Sequence, residues 1–178
     1  TDDLTNGNDI KMLGESQKIC DSVVGNSNYD IGHVFSFGNS GIAELVSVCT
    51  SRKAQGVSGS EVPKGDGFDV DFVAHEMGHQ FGATHTFNNS CNGNRTNSTA
   101  VEPGSGSTIM GYAGIVGLDN VQLHSDPYFH FHNHQNINGY LDTQSCYAIS
   151  TNENEAPIVD AGGDYTIPIG TAYELEAT

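Results

Sequence analysis

HEMGHQFGATH, residues 75 to 85, is the stretch on which the reading of this chain turns. His75 and His79 stand four apart, so on a helix they project from one face, about one turn from each other. Two neutral imidazoles so placed can each give a nitrogen to one zinc ion. Gly82 follows three residues later and, lacking a Cβ, accepts backbone angles closed to other residues. A sharp turn there returns His85 as a third ligand. Glu76, directly after the first ligand, is placed to act on a water at the open fourth position. Structural zinc is usually closed by four protein ligands, so three histidines imply a reactive centre. With this chain's composition the five fixed positions arise by chance about once in ten thousand trials, which sets aside three unrelated histidines.

Working outward, Asp69 and Asp71 suit the positive end of a helix running from about 70 to 81 and stopping at Gly82. Before it, residues 10 to 24 carry Ile10, Leu13, Ile19, Val23 and Val24 on roughly one helical face. Residues 31 to 37 and 41 to 49 read as strands joined through the Gly38-Asn39-Ser40-Gly41 turn, with a weaker strand at 54 to 59. From Cys91 to Gly117 the chain is rich in Gly, Asn, Ser and Thr and predicts little regular structure. A short helix is expected near 132 to 142, with Ile137, Tyr140 and Leu141 facing inward.

Six Lys and Arg against 22 Asp and Glu give a formal charge of −16. That field argues against nucleic acid and anionic membranes as partners, and no apolar run is long enough to span a bilayer. Cys20, Cys49, Cys91 and Cys146 are dispersed without a CxxC pair, which fits two disulfides in a secreted, extracellular protein. Three connectivities are possible. Cys20–Cys49 with Cys91–Cys146 is the expected set, because each bridge then closes within one half of the chain. Asp66, Asp69 and Asp71 lack EF-hand spacing, so calcium stays a candidate second cation without an assignable site. His130, His132 and His134 alternate without a carboxylate cluster and read as solvated.

The extended motif resembles that of the metzincin metallopeptidases, whose HExxHxxGxxH is followed downstream by a Met-turn. STIMGY, residues 107 to 112, matches that second element, and Met110 is the methionine the resemblance sets beneath the zinc. Within the clan the chain looks most like reprolysin (adamalysin)-type bacterial secreted peptidases. Cys49 falls where those carry a cysteine, and YLDTQSC ending at Cys146 looks like their final helix. Thr86 departs from the Asp that venom reprolysins carry after the third ligand. Tyr112 lies where astacins and serralysins have a tyrosine able to ligate zinc and stabilise the oxyanion.

The resemblance implies an α+β fold: a metzincin catalytic domain over 1–150, with a partial N-terminal sheet, an active-site helix and an irregular C-terminal subdomain. Only 74 residues precede His75, so an upstream segment of the same precursor is expected to supply the first strands and complete the sheet. Residues 151–157 read as a linker. Residues 158–178 read as the beginning of an immunoglobulin-like or PKD-type β-sandwich module, or as a disordered tail. The implied activity is that of a zinc metalloendopeptidase acting on polypeptide substrates laid along the edge strand near 41–49. The alternatives are a zinc amidase or exopeptidase on small peptides, or a catalytically silent adhesive or binding domain.

Overall fold

A computed structural model describes residues 4–150, 154–155, 157–160 and 162–174. The chain divides into two compact units, Thr1–Ala148 and Ile149–Thr178. In the first, α1 (Asp9–Cys20) begins where the Asn8 side chain accepts the Lys11 N–H, and a π-helical turn (Asp21–Gly25) extends it. Its inward face buries Met12, Ser16 and Gln17, and the Gln17 amide oxygen takes the Ala54 N–H. The expected helix at 10 to 24 is therefore present.

Three short strands follow: β1 (Val34–Ser36), β2 (Gly41–Ala43) and β3 (Gly56–Gly59). The expected hairpin between the first two does not form. β3 lies between them, parallel to β1 and antiparallel to β2, with Val57 opposite both Val34 and Ile42. β3, the weakest strand on sequence, is the central one and is buried throughout. The strand expected to reach residue 49 stops at Ala43. Val46 and Cys49 have φ of 52° and 66°, outside the extended region. The amides of 46 to 48 bond instead to the carbonyls of His79 and Gln80, satisfying the exposed end of the next helix.

That helix runs through α2 (Asp66–Phe68), a π-helical segment (Asp69–Ala74) and α3 (His75–Gln80). Its last turn is closed by Ala83 N–H to Gly78 C=O and Gly82 N–H to His79 C=O, with Gly82 at φ 96°. Beneath it Ala83, Ile109 and Met110 form a buried cluster, flanked by Val70, Ala74, Phe129 and Ile137. Ile137 comes from α4 (Phe131–Leu141), close to the helix expected at 132 to 142.

The disulfide expectation is corrected. Cys49 bonds Cys146, whose Cα atoms are 5.7 Å apart, while Cys20 and Cys91 are free. Neither Cys20–Cys49 nor Cys91–Cys146 exists, because tertiary packing rather than sequence distance sets the pairing. The Tyr140 hydroxyl of α4 donates to the carbonyls of Val46 and Val48, laying the chain before Cys146 against the segment ending at Cys49. Cys20 meanwhile lies against Gly32.

The second unit carries no helix or strand among its described residues; Tyr165 and Tyr173 pack there with ring centres 5.2 Å apart. Part of the expected linker (151–153, 156) and of the expected β module (161, 175–178) lies outside the described residues. No helix among the described residues is long and apolar enough to cross a membrane.

Candidate metal centre

α3 presents His75 and His79 on one face, and the chain, turned by Gly82, brings His85 to meet them. Their ligand-capable atoms all lie within 4.8 Å of one another. The Nε2 atoms of His75 and His79 are 3.3 and 3.1 Å from Nε2 of His85. Among the described residues no other group of three metal-ligating side chains converges so closely.

Each ring is oriented from behind. Nδ1 of His75 donates to the Ile109 carbonyl at 2.7 Å, that of His79 to Ala83 at 2.8 Å, and that of His85 to Asn94 at 2.6 Å. Only a protonated Nδ1 can make these bonds, so each neutral ring turns an Nε2 lone pair inward. Burial pushes all three imidazoles towards the neutral form. His75 is held well below its ordinary value, by burial first and then by its two histidine neighbours; His79 falls to about 4 for burial and His85; His85 falls with burial. Three lone pairs then face one another with no proton to share. That repulsive set fits a cation, and three imidazoles suit zinc.

Glu76 is buried, and its side chain lies directly over Gly41 of β2. Burial, and then the Asp9 charge, push its carboxyl up to about 8. A cation among the imidazoles opposes that shift. The Tyr112 ring centre is 4.7 Å from that of His85 and 5.7 Å from that of His75. Its hydroxyl is raised to about 12, by burial and then by Glu76. Met110 is wholly buried beneath α3, and a Cβ on Gly78 would sit 2.8 Å from its sulfur. His75, Glu76, His79, His85, Met110 and Tyr112 thus come together.

A cleft of about 420 Å³ opens beside His75 and Glu76. Asn39, Ser40 and Gly41 of the sheet edge form one wall, and Gly111 to Ile115 form the other. At one end Asp71 accepts the Ser125 N–H and the His124 Nδ1, pinning the loop that completes the rim. The remaining candidates lie elsewhere. His130 caps α4, with its ring accepting the His132 N–H, and His132 contacts Gln135. Asp66 and Asp69 join no convergent site.

Sequence reasoning missed two contributors. Gly41 carries no motif; only the nearness of β2 to α3 reveals that its missing side chain makes room for Glu76. Glu102 is, with Glu76, one of the two buried carboxylates among the described residues. Its partners are backbone amides five and six residues on, a pattern without a sequence signature.

The comparisons with known proteins agree with this geometry. No curated protein and no solved structure gives a significant match. Residues 1–140, by contrast, match the reprolysin-like metallopeptidase family M12B, so the match spans the helix, the three histidines and the turn that carries Met110, and the chain belongs to that family.

Proposed function

We propose that this metallopeptidase is a zinc-dependent endopeptidase that hydrolyses internal bonds of extracellular polypeptides. The observation carrying the reading is the convergence of three inward Nε2 lone pairs beside the Glu76 carboxyl, on the wall of a cleft edged by β2. Bound there, zinc would polarise the scissile carbonyl and acidify the attacking water. Glu76 takes the proton from that water and returns it to the leaving amine. The carbonyls of Ile109, Ala83 and Asn94 keep the imidazoles from rotating away. Met110 packs under Gly78 of the same helix, which supports a floor role for it. The Tyr112 hydroxyl would donate to the oxygen that gains charge, a role supported by the packing of its ring beside His75 and His85.

The free edge of β2 supports an extended substrate, whose backbone pairs with it as an added strand. The disulfide supports an oxidising, extracellular setting.

The test compares Glu76→Gln with His79→Ala on unfolded casein and on blocked dipeptides. Glu76→Gln retains zinc and loses casein cleavage by at least about 100-fold, as expected for a lost general base. His79→Ala loses zinc and activity together. Near-normal, chelator-sensitive cleavage by Glu76→Gln overturns the mechanism. Cleavage confined to dipeptides overturns the endopeptidase assignment.

A further inference from the structure

Glu102 does more than fill a place in the interior. One carboxylate oxygen accepts the N–H groups of Ser107 and Thr108 at 3.0 and 3.1 Å; the other accepts the Thr108 hydroxyl at 2.6 Å. Burial alone would push this carboxyl up, but those bonds outweigh it and hold Glu102 ionised, below its ordinary value. The next residue after Thr108 is Ile109, whose carbonyl receives His75 Nδ1–H. The backbone of Glu102 reaches the other way. Its N–H donates to the Thr86 carbonyl, and its C=O accepts the Asn88 N–H, both at 2.9 Å. Thr86 directly follows His85 and donates its own N–H to the Met110 carbonyl. One residue therefore joins the segment that orients His75 to the segment that carries His85.

We propose that Glu102 is a positioning residue for the metal centre, setting the angle of His75 and the approach of His85 through its bonds to Thr108 and Thr86. The proposal rests on the reading of the three histidines as ligands. A charged acceptor strengthens all three bonds that converge on it. Glutamine keeps one acceptor oxygen for the two amides but brings no charge, and its NH₂ can only donate, so the Thr108 hydroxyl must turn round to accept and the bonds weaken together. Gly106, at φ 68°, supplies the room: a Cβ there would lie 3.1 to 3.2 Å from Glu102 atoms.

The experiment prepares Glu102→Gln and Thr108→Val in the full chain. The second variant removes only the hydroxyl donor and leaves both amide bonds, so it keeps the test open if the first fails to fold. Zinc affinity is measured by competition with a chromophoric chelator, and the visible absorption of the cobalt-loaded chain reports ligand geometry. Glu102→Gln is expected to weaken zinc about 10- to 100-fold, as second-layer substitutions at metal sites do, and to shift the cobalt bands. Thr108→Val is expected to shift the bands the same way with a smaller loss. Folded variants with unchanged affinity and an unchanged cobalt spectrum overturn the proposal. A wild-type chain that takes up neither ion overturns the ligand reading itself, which separates the two failures.

Discussion

Gly41→Ala tests the catalytic geometry without replacing a ligand or the base. No positive φ restrains Gly41, so its backbone accepts alanine. The new methyl would lie 2.6 Å from both Cγ and Cδ of Glu76, where ordinary contact begins at 3.4 Å. Glu76 is the flexible partner and gives way, so the fold survives. The carboxylate must retreat by about 1 Å, and misplacement on that scale costs on the order of 100-fold in rate. This corresponds to roughly 2.7 kcal/mol of barrier. Hydrolysis of a quenched fluorescent peptide should show the loss in kcat, with KM nearly unchanged, zinc content at one per chain, and melting close to wild type. Wild-type kcat in a folded, zinc-loaded Gly41→Ala would refute the placement of Glu76 as the proton acceptor. A rise in KM alone would assign the loss to crowding of substrate at the β2 edge instead.

Tyr112→Phe should lower turnover by more than about tenfold if the hydroxyl meets the developing oxyanion, with zinc affinity unmoved; unaltered turnover assigns Tyr112 to packing. Thiol titration of the unfolded, unreduced chain should count two free cysteines, from Cys20 and Cys91, and peptide mapping should recover Cys49 joined to Cys146. Replacing both of the bridged cysteines with serine should destabilise the chain by about 4–5 kcal/mol in denaturant melts, the chain-entropy value for a loop of that length. A loss below about 1 kcal/mol would show that the bridge closes a junction α4 already holds.

The metal centre was legible because its information is local. The four-residue step between His75 and His79, and a glycine at the only place the chain must turn back, are backbone facts that survive any tertiary arrangement. Met110 and Tyr112 were reachable through resemblance, since nothing in Ser107 to Tyr112 alone points to a metal. The sheet was misread where its order depends on partners. β3 is four residues without alternation, and its burial comes from α1 and the active-site helix covering it. Residues 44 to 49 read as a strand because Leu45, Val46 and Val48 are apolar and two of them β-branched. Their amides are drawn instead to the end of α3, and two positive φ values follow. Cysteine pairing failed for the same reason, since bridges that close within each half of the chain take no account of what folding brings together. Glu102 was invisible because its role is to receive backbone amides, which every residue has.

The bond between Cys49 and Cys146 closes a ring spanning 97 positions, and His75, Glu76, His79, His85, Met110 and Tyr112 all lie inside it. Two open stretches of that ring, near 88–98 and 115–124, are mostly exposed and irregular, the sort of chain a peptidase cuts. A single cut in either would not release a fragment. The two pieces stay tethered, one holding the three histidines and Cys49 and the other carrying α4 and Cys146. A population of such molecules digesting one another would therefore accumulate nicked chains, each a water heavier per cut and still held together, before any activity is dispersed. Reduction would turn those silent nicks into separation.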